Sequence, residues 1–456
     1  MFSKETYINM RQVLKKAIGN GIILLLGNEE SSINYKDNWY PFRQDSTFLY
    51  YAGISLAGLT LILNASTGEE ILFGNDLTID DIVWTGPQPT LSELAQQVGI
   101  KKVLPKNEIV KYLEGEILFL PPYRPEHSIK LSNWLGKNLK EIETSQNILL
   151  IKTIAKQRSC KTQEELIEID KACTITSRMH RAVMMGAKEG MYEHEVAAIA
   201  QKVAWENHAQ NSFLPIVTIN GNVLHNNYYG NQLPKGKMLL CDSGAQLQNG
   251  YCGDMTRTIP TGKTFDAKQR EMYTIVYNSY SKAVSLLKPG VRFKDVHLAA
   301  CTAIAEGLKQ IGLMKGNIQE AVAHGAHAMF FQCGLGHMMG LDVHDMENLG
   351  EPYIGYTDEL IKSKEFGLKS LRLGKELEEG YVLTVEPGIY IIPELIDLWK
   401  SKGLHNNFIN YDLLETYKDF GGIRVEDDFV ITSNGSKLLG EPLAITLSDV
   451  EALRKL

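Results

Sequence analysis

Six cysteines in 456 residues, none in a C-x-x-C pair, give no basis for a disulfide framework. They read as reduced thiols. No basic segment near the start leads into an apolar stretch, so no secretory signal is visible and a cytoplasmic protein is expected. Long hydrophobic runs are missing too. Residues 21–27 form the longest early one, far short of the ~20 residues that cross a bilayer, and no membrane partner is expected. Lysine and arginine form no run, and acidic residues exceed basic ones by 54 − 47 = 7. A nucleic-acid partner is therefore not expected. Low-complexity segments and short-period repeats are also absent.

What is present is an ordinary globular composition, 44% hydrophobic and 22% charged, in a chain long enough for two domains. Residues 1–155 read as a smaller α/β domain. Helical periodicity covers 6–18, buried strands cover 21–26 and 59–63, and Asn64-Ala65-Ser66-Thr67-Gly68 is a turn before a returning strand at 70–73. A polar, basic stretch at 151–161 marks a boundary. Thr162 and Glu165 then form a capping box that opens a helix with Leu166, Ile169, Cys173, Ile175 and Met179 near one face. Further helices are predicted at 193–207, 271–287 and 293–311. Strand-rich and helix-rich stretches interleave without a βαβ rhythm over 156–456, so the fold class is α+β.

The chemistry starts at Asp242, directly after the apolar run Leu239-Leu240-Cys241. A lone carboxylate on a buried strand is costly. Asp254 sits in a second predicted strand, 251–258, and Asn249-Gly250 between them signals a hairpin. A two-residue loop would pair Asp254 with Ala245 and put Asp242 on the opposite face. A three-residue loop pairs Leu247 with Tyr251 and Asp254 with Gly244, which puts both carboxylates on one face. The three-residue loop is predicted, with Gly250 left-handed in a G1-type bulge. The bland alternative is one strand-end aspartate and one surface aspartate.

Downstream, Cys333-Gly334-Leu335-Gly336-His337 leads through Gly340 to Asp342-Val343-His344-Asp345. The third glycine comes one residue late for a dinucleotide loop, and His-Glu-x-x-His is absent. Glu386 ends the β-rich run Tyr381-Val382-Leu383-Thr384-Val385, and Glu426 precedes another at Phe429-Val430-Ile431-Thr432. Glutamate is depleted inside strands and rarely buried without a partner or a metal. One shared metal centre explains Asp242, Asp254, His337, Glu386 and Glu426 together. Four carboxylates and one imidazole form a hard donor set with more ligands than one tetrahedral zinc needs. Two divalent cations are expected, with Mn²⁺ the metal that fits best. Such a pair, roughly 3.5–4 Å apart, serves hydrolysis of a carbonyl substrate.

Those five residues, in that order, resemble the ligands of the pita-bread metallopeptidases. Leu383-Thr384-Val385-Glu386-Pro387-Gly388 and the 334–345 segment are similar to the proline-specific branch, the aminopeptidase P and prolidase family. Tyr40-Pro41-Phe42-Arg43-Gln44-Asp45-Ser46 through Gly53 resembles that family's amino-terminal domain, so the likeness covers nearly the whole chain. It implies a catalytic pita-bread domain over 156–456 that cleaves the bond between an N-terminal residue and proline. It also implies a homodimer or larger assembly. Asp242, Asp254 and Glu426 would hold one cation; Asp254 and Glu426 would bridge to the second, completed by His337 and Glu386. Glu386 would also accept the proton of the attacking water. His225 matches the histidine that assists at the scissile bond, His344 the one near the proline, and Arg424 the arginine that orients the ligands.

The chain departs from the family pattern at two points. Its two aspartates are one residue further apart than usual, and Cys333 stands where a histidine is usual. The 426 − 386 = 40 residue gap resembles prolidases of the animal type, yet aminopeptidase and dipeptidase activities both remain open. Two other readings are a creatinase-like hydrolase without metals and a non-catalytic peptide-binding protein.

Overall fold

The computed structural model describes residues 2–456. The chain divides into two compact units: one runs to Arg158 and also includes Met346–Ile354, and the other comprises Ser159–Asp345 and Gly355–Leu456.

The first unit is built on a mixed five-stranded sheet. Its strands are β1 (Ile22–Leu26), β2 (Thr60–Asn64), β3 (Glu70–Phe73), β4 (Lys102–Leu104) and β5 (Ile117–Phe119), in the order β4-β3-β2-β1-β5. β1 is apolar throughout and buried throughout, as a strand covered on both faces must be. The helix predicted at 6–18 spans Lys4–Ile18, because Ser3 caps it by accepting the Thr6 N–H at 3.2 Å. The turn at 64–68 forms as read. Asn64 Oδ1 accepts the N–H groups of Ser66 and Thr67, both at 3.0 Å, and Gly68 takes φ +82°. Arg11, fully buried, ties helix to sheet by donating to Glu70, to the Tyr51 carbonyl and to the Val98 carbonyl.

The second unit opens with the helix Gln163–Gly186, and the Thr162–Glu165 capping box is formed. The helix Glu193–Glu206 follows. Ala267–Val284 starts before the predicted 271 because Asp266 and Gln269 make a capping box of their own. It packs on Phe293–Gln310 where Gly307 leaves room for Ile275, whose side chain would stand 2.7 Å from an added Cβ. The strands are short: β6 (Gln210–Asn211), β7 (Ile216–Thr218), β8 (Met238–Ser243), β9 (Ala245–Gln246), β10 (Met255–Pro260), β11 (Val382–Val385), β12 (Gly388–Tyr390), β13 (Gly422–Arg424), β14 (Asp427–Thr432) and β15 (Gly435–Leu438). Every pairing among them is antiparallel. The α+β expectation holds.

The β8–β10 hairpin has the predicted register. Leu247 N–H donates to Tyr251 O and Gly250 N–H to Leu247 O, both at 2.9 Å, and Gly250 takes φ +91°. That is a three-residue loop closed by a left-handed glycine. β10 itself starts at Met255, later than the predicted 251. The Cys252 N–H turns away to the Gly340 carbonyl at 2.9 Å, so Asp254 stands at the strand's entrance.

Candidate metal centre

Strand register lays the predicted donors out as a grid on one face. Asp242 pairs with Thr256 across β8 and β10, and Thr256 bridges to Glu426. β11 pairs with β14 at Val385↔Asp427, so the next step sets Glu386 opposite Glu426. The neighbouring row holds Asp254, Asp428, Thr384 and His337. Asp254 is two residues before Thr256 and Asp428 two after Glu426, which keeps them on the same face. The Asp254 N–H donates to Asp428 Oδ2 at 3.0 Å. Residues 335–339 run antiparallel beside β11. Thr384 N–H donates to His337 O at 3.1 Å, and Glu386 N–H to Leu335 O at 2.8 Å.

Glycines permit this close weave. A Cβ on Gly244 would lie 1.8 Å from the Gly253 carbonyl oxygen, and one on Gly336 would lie 2.0 Å from that of Thr384. No side chain fits at either position.

The five donors converge. His337 Nε2 is 3.5 Å from Asp254 Oδ2 and 3.7 Å from Glu386 Oε1. Donor atoms of Asp254, His337 and Glu426 all lie within 4.8 Å of one another. With Asp242 they line one cavity of about 400 Å³. The same cavity is lined by His225, His344, Arg424 and Cys333, and by the apolar side chains of Phe213, Leu214, Leu224 and Val343. It therefore gathers every site residue named from the sequence.

These groups suit cations. Asp242 Oδ1 and Asp254 Oδ1 are buried and have no hydrogen-bond partner, a costly state for a carboxylate oxygen. Burial, and then the charge of Asp242, holds the Asp254 carboxyl well above the usual range. Burial, and then Asp254, does the same to Glu426. Burial raises Glu386 as well, against the pull of His337 and Arg424. The cluster cannot carry its full negative charge alone, and divalent cations would restore it. The His337 ring is oriented for ligation. Its Nδ1 faces the Met338 carbonyl at 3.1 Å, which leaves the Nε2 lone pair for a metal.

A supporting layer holds the donors in place, and part of it escaped the sequence reading. Arg424 donates to Asp242 Oδ2, and at 3.0 Å each to Thr256 Oγ1 and Tyr390 Oη. Thr256 Oγ1 in turn donates to Glu426 Oε2 at 2.6 Å. The His337 N–H donates to Thr384 Oγ1 at 3.2 Å. Asp428, buried behind Asp254 and pushed up to about 8 by desolvation, accepts from the Cys173 thiol at 3.1 Å. Counting in twos from Asp254, Glu386 and Glu426 reaches Thr256, Thr384 and Asp428; that period was the available signal. His344 packs on His337 with ring centroids 4.1 Å apart. His225 is held neutral, its pKa lowered by burial and then by Arg424. Cys333 is a thiol rather than a thiolate, since burial pushes it up to about 12, and its Sγ lies 3.8 Å from Tyr390 Oη.

Residues 168–433 match metallopeptidase family M24, and residues 7–120 match the aminopeptidase P N-terminal domain. The chain belongs to family M24. This M24 chain is 31% identical over 443 residues to a probable Xaa-Pro aminopeptidase of Fusarium vanettenii, covering 96% of itself and 92% of that relative. It is 29% identical over 445 residues to the human Xaa-Pro dipeptidase, covering 94% and 88%. Among solved structures it resembles an Escherichia coli aminopeptidase P at a TM-score of 0.83 and 26% identity, covering 100% and 98%. A proline aminopeptidase P II from Yersinia pestis matches equally well, at 0.83 and 26%, covering 100% of both chains. The fold is therefore aminopeptidase P-like, with an N-terminal domain and a C-terminal pita-bread domain. Membership implies divalent metal ions. Among the described residues, no helix is long and apolar enough to cross a membrane.

Proposed function

We propose that this chain is a metal-dependent peptidase that removes the residue ahead of a proline, with two Mn²⁺ ions as its cofactors. One observation carries the reading. Asp242, Asp254, His337, Glu386 and Glu426 meet in a single cavity beside His225 and His344. Names of relatives with nearly full-length coverage support it. Asp242, Asp254 and Glu426 would hold one cation, and Asp254, Glu426, His337 and Glu386 the other. When bound, the cations supply Lewis acidity toward the scissile carbonyl.

The protein's own groups do the remaining work. Glu386, at the edge of the donor cluster, takes up the proton of the attacking water and passes it to the departing proline nitrogen. His225, neutral, can donate an N–H where negative charge develops on the carbonyl oxygen. His344, packed on His337 and lining the same cavity, would contact the substrate near its proline. Arg424 fixes Asp242 directly and Glu426 through Thr256. The apolar side chains of Phe213, Leu214 and Val343 give the ring an apolar wall. A homodimer or larger assembly remains part of this reading.

We further propose a preference for dipeptides over longer peptides. The Arg372 charge reaches both His225 and Glu386. Arg372, which already has an interaction of its own, is the cation we assign to the free carboxylate of an Xaa-Pro dipeptide. The decisive test is a panel of Xaa-Pro and Xaa-Pro-Yaa-Zaa peptides with Mn²⁺-loaded protein. Release of the first residue from either class is expected, and turnover of neither overturns the proposal. Arg372→Ala should raise KM for the dipeptides about tenfold or more and leave that for tetrapeptides nearly unchanged, since a charge-assisted contact contributes ~1.5–3 kcal/mol.

A further inference from the structure

A second group of metal-ligating side chains lies outside the catalytic cavity. His297 and Cys301 sit one turn apart on the helix Phe293–Gln310 and so share a face. His327 comes from the short turn Ala326–Met329. Their donor atoms all lie within 4.8 Å of one another, and Cys301 Sγ is 3.4 Å from His297 Nε2. Two donors on one tetrahedral or trigonal ion stand roughly 3.5–3.8 Å apart at ordinary zinc–nitrogen and zinc–sulfur lengths. All three residues are buried, with exposures of 0%, 0% and 1%. None lines the cavity that holds the five catalytic donors.

Buried imidazoles normally find hydrogen-bond partners. Here Nδ1 of His297 and both ring nitrogens of His327 have none. The Val322 carbonyl acts electrostatically on His327, outside hydrogen-bond geometry. Burial keeps both rings neutral, pushing His297 down to about 3 and His327 to about 4. Two neutral imidazoles and a thiol therefore face each other in a buried cluster, the thiol hydrogen-bonded to His297 Nε2 and both His327 nitrogens without a hydrogen-bond partner.

We propose that His297, Cys301 and His327 bind one thiophilic transition-metal ion, separate from the catalytic pair. On binding, the Cys301 S–H bond breaks, its proton leaves to solvent, and a sulfur–metal bond forms. The imidazole lone pairs complete a three-donor site, and no oxidation state changes. One thiolate and two neutral rings carry a single negative charge. Monovalent copper makes the buried site neutral, whereas zinc leaves one positive charge in an apolar interior. The site therefore favours copper(I) and serves to staple the helix to the 326–329 turn.

The test uses the full chain loaded with Mn²⁺, titrated anaerobically with copper(I) and in parallel with Zn²⁺, then desalted. Metal content is read by mass spectrometry and thiolate–copper charge transfer by near-ultraviolet absorption. One retained equivalent of copper is expected. It should be lost in Cys301→Ser and in His327→Gln and kept in Cys160→Ser, a free thiol outside the catalytic cavity, with Mn²⁺-dependent peptidase activity of each variant as the check on folding. Retention of zinc in place of copper, with the same variant pattern, supports the site and overturns the copper preference. Copper retention that survives both Cys301→Ser and His327→Gln, or none in the parent protein, overturns the proposal. X-ray absorption on the copper-loaded parent protein, free of any variant, must show one sulfur neighbour; coordination without sulfur overturns it too.

Discussion

Arg424 sends its guanidinium to three partners at once, Asp242, Thr256 and Tyr390. A planar fork can do this; a lysine ammonium on a flexible stem cannot. Arg424→Lys should keep the charge, lose the geometry, and weaken metal binding by about 10–100-fold, as read by metal titration. Its role was legible from the sequence only through family resemblance, because an arginine two residues before a glutamate carries no signal of its own. His180 is a different case. It is fully buried, and its Nε2 faces the Ser243 carbonyl at 3.0 Å, directly behind Asp242. Burial pushes it down from 6.5 to about 4. The folded state thus binds fewer protons than the unfolded one between those values, and stability falls as pH drops through that window. His180→Asn should make the acid-side slope shallower by ~1.4 kcal/mol per pH unit between about pH 6.5 and 4. Denaturant midpoints of both proteins across that range measure it.

At the scale of elements, hairpin geometry was readable because face parity leaves so few choices. One loop length puts Asp242 and Asp254 together and the other separates them, and the protein has the former. The long helices were readable from their periodicity, with ends shifted wherever a capping residue lay outside the apolar stripe, as at Asp266. Residues 335–339 were harder. Gly336 and the flanking Gly334 and Gly340 suppress any strand propensity, and only pairing with β11 lines the segment up beside it. Two glycines of the β8–β10 hairpin carry the next prediction. Gly250→Ala should cost only about 1–2 kcal/mol, the strain of a left-handed alanine. Gly244→Ala should cost well over that and abolish tight metal binding, because its methyl would displace the strand that presents Asp254. Thermal melts with and without Mn²⁺ separate the two.

At the scale of the whole molecule, the donors come from five places in the chain, 242 to 426, and no single one of the small sheets holds them all. Mutual repulsion among Asp254, Glu386 and Glu426 is built into the metal-free fold. Removing the metal should therefore abolish peptidase activity and lower the melting temperature. Restoring Mn²⁺ at about 100 times its dissociation constant should return ~2.7 kcal/mol per site to stability. Calorimetry across a Mn²⁺ series measures this. Activity that survives exhaustive chelation would instead favour a metal-free hydrolase. This scale was legible as a donor list but not as a shape, because sequence separation says nothing about which short strands become neighbours. Assembly from family-like pieces supplied that part.

The order in which those donors occur along the chain has a consequence for synthesis. A ribosome delivers the aspartate pair first, the histidine nearly a hundred residues later, and the last glutamate later still. Until Glu426 and Arg424 emerge, Thr256 has no partner strand on its outer side, and the half-built pocket holds acids with nothing to anchor them. The nascent chain is thus without peptidase activity until its final donor strand has docked.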